Sequence, residues 1–199
     1  MNKNHYIVKT IFSKKECDGI LKMKTKMVRR QELMTEFDQK KSTFLNNNFR
    51  PNTLTTEESS GEHIDELIDA ESWVCDRLME NMDISDFANC NGLWPLLLKE
   101  YQVDDEIIWH YDDVRGIRRV AVSICLNEDY EGGFLQFPKF GNGNRYYMDV
   151  KDDFEAETLN LKVGQMVQFP VVLLHRVTPV TRGVRKHLVT WYTGEVLNW

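Results

Sequence analysis

The sequence has few cysteines, and none stands in the close pairs that bind structural zinc or staple small secreted domains. The four residues, Cys17, Cys75, Cys90 and Cys125, are far apart along the chain, and no C-x-x-C spacing occurs. This distribution argues against both a zinc ribbon and a dense disulfide framework. We therefore expect four reduced thiols in a cytoplasmic protein.

Long apolar runs and clusters of positive charge are also missing. The first residues contain only short apolar runs interrupted by Lys9, so we expect no signal peptide. No stretch reaches the ~18 to 20 apolar residues of a membrane span. The net charge is -6 and the basic residues are scattered, which argues against the basic surface that binds nucleic acid. We expect neither a membrane nor a nucleic acid as a partner.

Helical patterns are confined to the first part of the chain. Ser13 followed by Glu16 has the form of a capping box, and the apolar spacing after it predicts a helix over 14–29. A second amphipathic pattern predicts a helix over 62–82. Residues 40–56, rich in asparagine and threonine, predict a long surface loop or lid.

After residue 92 the hydrophobic period changes from helical to extended. Short apolar segments separated by turn signals are typical of an antiparallel sandwich or jelly roll. The predicted strands cover residues 94–101, 106–111, 118–126, 133–137, 146–150, 157–161, 166–169, 173–178 and 187–193. With 199 residues, 42% of them hydrophobic, the chain can form one domain with a full core. We predict an α+β fold in which a helical N-terminal part, 1–92, supports a jelly-roll core, 93–199.

One predicted strand carries a pair of candidate metal ligands. His110 and Asp112 stand two residues apart, and side chains at that spacing project from the same face of a strand. The imidazole and the carboxylate would therefore converge on one point. A second His-x-Asp triplet, His63 to Asp65, falls in a predicted helix, where such positions lie about 200° apart around the axis. We therefore assign the candidate site to the first pair.

Two downstream residues have a functional and an ordinary interpretation. His175, in an apolar strand, is either a core histidine bonded to backbone or the third ligand of a 2-His-1-carboxylate iron site. Arg185 opens the next strand after a turn marked by proline and glycine. Its planar guanidinium could anchor a dicarboxylate co-substrate or form a surface ion pair. The residues alone leave both choices open.

Taken in order, these residues resemble the 2-oxoglutarate and Fe(II)-dependent oxygenases, in particular the prolyl 4-hydroxylase-like (PKHD-type) family. The resemblance covers about residues 94–193. The blocks that carry it are Tyr101, His110-Tyr111-Asp112, Leu126-Asn127-Glu128-Asp129-Tyr130-Glu131-Gly132-Gly133, Gly164-Gln165-Met166-Val167-Gln168-Phe169-Pro170, His175-Arg176-Val177-Thr178-Pro179-Val180-Thr181-Arg182-Gly183-Val184-Arg185 and Trp191.

The resemblance implies a role for each of five residues. His110, Asp112 and His175 would bind Fe(II), Arg185 would pair with the distal carboxylate of 2-oxoglutarate, and Tyr101 would lie beside this co-substrate. No catalytic residue beyond the metal ligands is implied. Tyr101 has the ordinary alternative of a tyrosine packed in the core.

The same resemblance implies a reaction: hydroxylation of an amino-acid residue with release of succinate and CO2. A prolyl residue in a peptide or protein is the first expected substrate, and ascorbate is a candidate further cofactor. Asp112 favours hydroxylation, because halogenating relatives lack this carboxylate. One departure from the pattern is Cys125, which stands where many relatives have a tyrosine that contacts the co-substrate. It puts the detailed contacts to 2-oxoglutarate in question.

Several alternatives remain open at this stage. The substrate could be a free amino acid or another small molecule, or the chain could be a non-catalytic jelly-roll binding module. Residues 139–154 are suited to substrate recognition or to an ordinary hairpin. His187 shares a strand face with Arg185 and could lie near the co-substrate or simply pack, whereas Trp191 on that face is expected in the core. The sequence predicts no oligomeric state.

Overall fold

The computed structural model describes residues 5–29, 64–83, 90–112, 118–139 and 155–194. The strands are β1 (Ile7–Thr10), β2 (Thr25–Arg29), β3 (Ile64–Ile68), β4 (Cys90–Leu93), β5 (Leu97–Tyr101), β6 (Ile107–His110), β7 (Arg118–Cys125), β8 (Glu131–Gly132), β9 (Leu135–Pro138), β10 (Ala156–Leu159), β11 (Gln165–Pro170), β12 (His175–Val177), β13 (Val180–Arg182) and β14 (Arg185–Gly194). The helices are α1 (Lys14–Ile20) and α2 (Ser72–Glu80). Within these ranges, neither helix has the length and apolar character that crossing a membrane requires.

Two antiparallel sheets form the body of the protein. The larger has the strand order β1-β11-β7-β14-β5-β3-β2, with β4 also paired to β14, and the smaller has the order β10-β9-β12-β6. A short ribbon pairs β13 with β8. Side chains of both sheets share one buried cluster, so the sheets pack face to face as a sandwich. The predicted α+β fold with a jelly-roll core is confirmed.

Strand β7 shows how the larger sheet serves two cores. Val120, Val122 and Ile124 pack with the helices on one face. Ala121 and Cys125, which alternate with them, pack against the smaller sheet on the other face. This period of two follows from the pleat of a strand. The face that carries Cys125 is the one that reaches the candidate site.

The predicted helix over 14–29 is only partly correct. Its capping box forms, because Ser13 Oγ accepts from the Glu16 backbone and Glu16 accepts from the Ser13 backbone. However, α1 ends at Ile20 and the remainder forms β2. Met27, which the helical pattern places on a buried face, is 62% exposed. Pairing with β3 decides the conformation of this stretch, because tertiary contacts override weak local propensity.

The single helix predicted over 62–82 is also wrong in its first half. Residues 64–68 form β3, which pairs with β5 and β2, and only α2 is helical. The helical argument against the triplet from His63 to Asp65 therefore fails. His63 itself lies outside the described residues.

The C-terminal strands follow the prediction with local shifts. Of the predicted strand over 94–101, only residues 97–101 form a strand, β5, and a separate short strand, β4, precedes it. Residues 180–182, expected in a turn, form β13 against β8. The expected loop over 40–56, the expected strand over 146–150 and all but the first residue of 139–154 lie outside the described residues. The division of the chain at residue 92 stays a prediction.

Candidate metal centre and adjoining pocket

His110, Asp112 and His175 come together at the end of the smaller sheet. One ligand atom from each lies within 4.8 Å of the others. His110 Nε2 is 3.8 Å from Asp112 Oδ1, and His175 Nε2 is 4.0 Å from the same oxygen. One metal ion placed among these three atoms could reach all of them.

Strand pairing explains this convergence. β6 and β12 run antiparallel with His175 directly opposite His110, and their ring centroids are 4.2 Å apart. Asp112 follows the end of β6, where its backbone N–H donates to Val171 O at 3.2 Å. The chain therefore returns its carboxylate to the two imidazoles, as the His-x-Asp spacing predicts.

The backbone fixes which nitrogen of each histidine faces the centre. His110 Nδ1 lies 2.9 Å from Ile108 O, and His175 Nδ1 lies 2.9 Å from Leu173 O. A carbonyl oxygen only accepts, so each Nδ1 carries the hydrogen and donates it. Each Nε2 then presents a lone pair toward Asp112, which is the arrangement that a bound metal requires.

Burial keeps His175 in its neutral form. Its surroundings include the Phe169 ring, in an edge-to-face contact with centroids 4.7 Å apart. Burial first, and the neighbouring His110 second, lower the pKa of His175 to about 4. At neutral pH its lone pair is therefore available without loss of a proton. His175 is therefore a buried, backbone-bonded histidine whose other nitrogen faces the cluster, and its role as the third metal ligand stays a prediction.

Trp191 orients the carboxylate of the cluster. Its indole Nε1 donates to Asp112 Oδ2 at 2.8 Å, and so leaves Oδ1 toward the histidines. We expected Trp191 to be a core residue, and it is buried, but this hydrogen bond gives it a second role. The Arg118 guanidinium lies 4.7 Å from the Trp191 ring centroid and makes a cation–π contact with the face of this indole.

Arg185 is buried on the same face of β14. It is 3% exposed, so the expected alternative of a surface ion pair is wrong. Its cross-strand partner is Tyr101, whose ring lies 4.6 Å below the guanidinium carbon. Burial raises the pKa of Tyr101, and the Arg185 charge opposes the rise. The two residues that the resemblance assigns to the co-substrate are therefore neighbours.

The charge of Arg185 has no counter-ion among the described residues. No carboxylate of these residues forms an ion pair with it, and its buried Nε has no hydrogen-bond partner there. Its Nη2 donates to His187 Nδ1 at 3.2 Å. An unpaired buried cation is costly, and such sites are suited to binding an anion.

A small cavity adjoins this guanidinium. Arg185, His187, Gly133, Tyr130 and Leu161 line part of it. Gly133 has a φ of +61°, and a Cβ at this position would lie 2.6 Å from Arg185 Cδ. The glycine therefore leaves the space that the arginine side chain occupies, a requirement more specific than the turn expected from the sequence.

Sequence reasoning did not identify Tyr130 as a site residue. Its hydroxyl lies 3.4 Å from His187 Nε2 and 3.7 Å from Cys125 Sγ. His187 itself is buried against Arg185, which favours the first of its two expected roles. No periodic signal marks Tyr130, because it lies in the loop between β7 and β8.

A β-sandwich that holds two histidines and one carboxylate, with the other positions around the ion left for outside ligands, defines a class of non-haem iron proteins. The donor set fits Fe(II), and the buried guanidinium fits an acidic co-substrate. Residues 96–193 match the family model described as the 2OG-Fe(II) oxygenase superfamily. This match covers just under half of the chain, and the name of the superfamily carries both Fe(II) and 2-oxoglutarate.

Curated relatives of the chain are PKHD-type hydroxylases. One from Cupriavidus pinatubonensis is 26% identical over 141 residues, which are 65% of this chain and 56% of the relative. One from Pseudomonas fluorescens is 30% identical over 127 residues, which are 58% of this chain and 50% of the relative. The chain thus spans about half the length of the curated relatives it matches.

Solved structures with a similar fold include two prolyl hydroxylases. One from Trichoplax adhaerens, in complex with a peptide fragment of the hypoxia inducible factor oxygen degradation domain, has a TM-score of 0.58 at 16% identity and covers 96% of this chain and 84% of its own. The viral collagen prolyl hydroxylase of Paramecium Bursaria Chlorella virus-1 has a TM-score of 0.52 at 16% identity, with 98% of both chains covered. At these identities the comparison shows a shared fold.

Proposed function

We propose that the protein is an Fe(II)- and 2-oxoglutarate-dependent dioxygenase that hydroxylates a prolyl residue in a peptide or protein. The observation that carries this proposal is the combination of two features in one site. His110, Asp112 and His175 offer three converging ligand atoms, and the buried Arg185 lacks a carboxylate partner among the described residues. A purely structural metal site would not require the second feature.

The reaction balances with these components. A bound Fe(II) supplies the activation of O2 that oxidation of an unreactive C–H bond requires. One oxygen atom enters succinate as 2-oxoglutarate loses CO2, and the other becomes the product hydroxyl. Asp112 occupies the position that halogenating relatives leave to a halide, so hydroxylation is the expected outcome.

The protein residues bind and orient the reactants. The two Nε2 atoms and Asp112 Oδ1 hold the ion, and Trp191 keeps the second carboxylate oxygen turned away. Arg185 binds the distal carboxylate of 2-oxoglutarate and rests on the Tyr101 ring. Orientation of this kind converts a chance encounter into a defined geometry, which is a large part of enzymatic rate enhancement.

The peptide substrate is supported by the exposure of the centre. The His110 side chain is 25% exposed while that of His175 is 7% exposed. Ile108, on the same face of β6 as His110, is 62% exposed. The metal centre therefore adjoins solvent and an apolar side chain on one side, as an extended substrate would require. The names of the similar proteins also support prolyl hydroxylation.

The test has a binding stage and a turnover stage. Fe(II)-loaded protein should bind 2-oxoglutarate without oxygen, seen as a new charge-transfer absorption, and should form succinate with O2. Proline-containing peptides and free proline are then compared by mass spectrometry for the addition of one oxygen. Ascorbate, still a prediction of the resemblance, is included and omitted in parallel.

Matched variants make the test specific. Asp112→Ala should abolish both signals, whereas Asp76→Ala, at an exposed position of α2, should change neither. If wild-type protein neither binds 2-oxoglutarate nor forms more succinate than Asp112→Ala, the proposed activity is wrong. Oxidation of free proline but of no peptide would retain the activity and replace the substrate class.

A further inference from the structure

The cavity beside Arg185 receives a hydroxyl from outside the regular strands. Tyr130 follows β7 in the loop that leads to β8, and its side chain lines the cavity together with Arg185 and His187. Tyr130 Oη is 3.4 Å from His187 Nε2. These three side chains therefore form one polar cluster in a cavity wall that is otherwise largely apolar.

The hydrogen bonds of His187 determine which of these three side chains donates a hydrogen bond and which accepts one. A guanidinium only donates, so the 3.2 Å contact makes His187 Nδ1 an acceptor for Arg185 Nη2. Ser123 Oγ lies 2.9 Å from the same nitrogen. The ring hydrogen of neutral His187 is then on Nε2 and points toward Tyr130 Oη. The phenolic oxygen accepts from His187, which leaves the phenolic hydrogen for another partner.

The described residues offer that hydrogen only a weak acceptor. Besides His187, the Arg185 guanidinium also lies within hydrogen-bonding reach of Tyr130 Oη, but it only donates. The remaining neighbour is Cys125 Sγ, at 3.7 Å. This thiol donates to Asn127 O at 3.1 Å, and sulfur accepts hydrogen bonds weakly. Burial raises the pKa of Tyr130, while the Arg185 charge opposes the rise. The phenol therefore stays protonated and remains a donor.

Two donors thus border one cavity: the Tyr130 hydroxyl, for which the described residues offer only a weak acceptor, and the Arg185 guanidinium, whose Nε has no hydrogen-bond partner among them. A carboxylate has two oxygens with several lone pairs and can accept from both. We propose that Tyr130 binds the distal carboxylate of 2-oxoglutarate together with Arg185, with His187 as the positioning residue that directs the phenol. This inference rests on the proposed function, because that function supplies the co-substrate.

The test measures binding of two keto acids to the Fe(II)-loaded, oxygen-free protein. One is 2-oxoglutarate, and the other is 2-oxobutanoate, which chelates the metal in the same way but lacks the distal carboxylate. Loss of one hydrogen bond to a charged group predicts that Tyr130→Phe binds 2-oxoglutarate about 10- to 100-fold more weakly. Binding of 2-oxobutanoate should stay within about 2-fold of wild type, because a lost contact to the distal carboxylate cannot affect it.

A matched control uses another buried tyrosine. Tyr192 lies on the opposite face of β14, where its hydroxyl donates to Leu78 O at 2.6 Å. Tyr192→Phe removes a buried hydroxyl of equal size and should leave both affinities unchanged.

Each remaining outcome has one meaning. If Tyr130→Phe binds 2-oxoglutarate as wild type does, or weakens both keto acids equally, the inference is wrong while the proposed function stands. If wild-type protein binds neither keto acid, the proposed function fails and the inference fails with it. Because 2-oxobutanoate binding reports an intact metal centre, a misfolded variant cannot be mistaken for support.

Discussion

The indole N–H of Trp191 donates to Asp112 Oδ2 at 2.8 Å, while Asp112 Oδ1 lies within 4.0 Å of both histidine Nε2 atoms. The two oxygens of one carboxylate are therefore held in different roles, one toward the metal position and one toward the core. A carboxylate fixed in this way does not have to lose rotational freedom when the ion binds. Trp191 thus contributes to the metal centre without touching the ion.

Trp191→Phe should weaken metal affinity about 10- to 100-fold, as loss of such outer partners typically does. The measurement is titration of the metal-free protein with Fe(II) or Co(II). Trp94→Phe is the matched control, since Trp94 belongs to the same buried cluster and lies under the same Arg118 side chain, 5.1 Å from its guanidinium carbon. Equal affinities for the two variants would show that packing, and not the hydrogen bond, accounts for any loss.

Arg185→Met should weaken the binding of 2-oxoglutarate and at the same time stabilise the ligand-free protein. Loss of the guanidinium should weaken 2-oxoglutarate binding roughly 100-fold or more. Without ligand, however, the free energy of unfolding should rise by on the order of 1 kcal/mol, because an apolar side chain replaces a buried charge that has no counter-ion among the described residues. Denaturant unfolding and anaerobic ligand titration measure the two effects.

The control for this change is an exposed arginine. Arg182, on β13, pairs with Glu131 at 2.8 Å, and both side chains are more than 60% exposed. Arg182→Met should leave the unfolding free energy nearly unchanged, because an exposed ion pair contributes little to stability, and should also leave ligand binding unchanged. An Arg185→Met protein that binds 2-oxoglutarate normally would contradict the assignment of the anchor.

The convergence of His110 and Asp112 was predictable from the direction of side chains along an extended chain, and that of Arg185 and His187 from their common parity on β14. The roles of His175 and Arg185 were predicted only through the family resemblance. Tyr130 could not be found in this way. Its position depends on how a loop returns to the sheet. Cys125 showed that the tyrosine of many relatives is missing from the sequence, but it did not indicate which side chain takes the position of that tyrosine.

The helical predictions failed where pairing partners are distant in sequence. Residues 25–29 and 64–68 have apolar spacings that also suit a helix, and each becomes a strand because the other pairs with it. Cross-strand contacts of this kind are tertiary, and they outweigh local propensity of a few tenths of a kcal/mol per residue. A sequence window that contains only one of the two strands carries no sign of them.

Gly133→Ala should displace the Arg185 side chain, because the new methyl would lie 2.6 Å from Arg185 Cδ and the backbone has a φ of +61°. We expect a stability loss of about 1 to 2 kcal/mol from the left-handed backbone and weaker 2-oxoglutarate binding. Gly19→Ala is the control, since no atom lies within 4 Å of its added Cβ and a helical alanine is favoured by roughly 0.5 to 1 kcal/mol. Unchanged ligand affinity in Gly133→Ala would show that the guanidinium tolerates displacement.

The stability of the metal-free protein should fall as the pH drops through the range set by His175. Its pKa is lowered from 6.5 to about 4, so between these values the unfolded chain binds a proton that the folded protein does not. Stability therefore decreases toward low pH, by about 2 kcal/mol from this residue between pH 7 and pH 5.

Denaturant unfolding of wild type and His175→Gln at both pH values measures this loss of stability. The pKa of His187 is lowered in the same direction. This residue is present in both proteins, so its contribution to the pH dependence of stability cancels in the comparison. Equal pH dependence in the two would mean that folding leaves the pKa of His175 unchanged, and hence that burial does not keep this histidine neutral at pH 5.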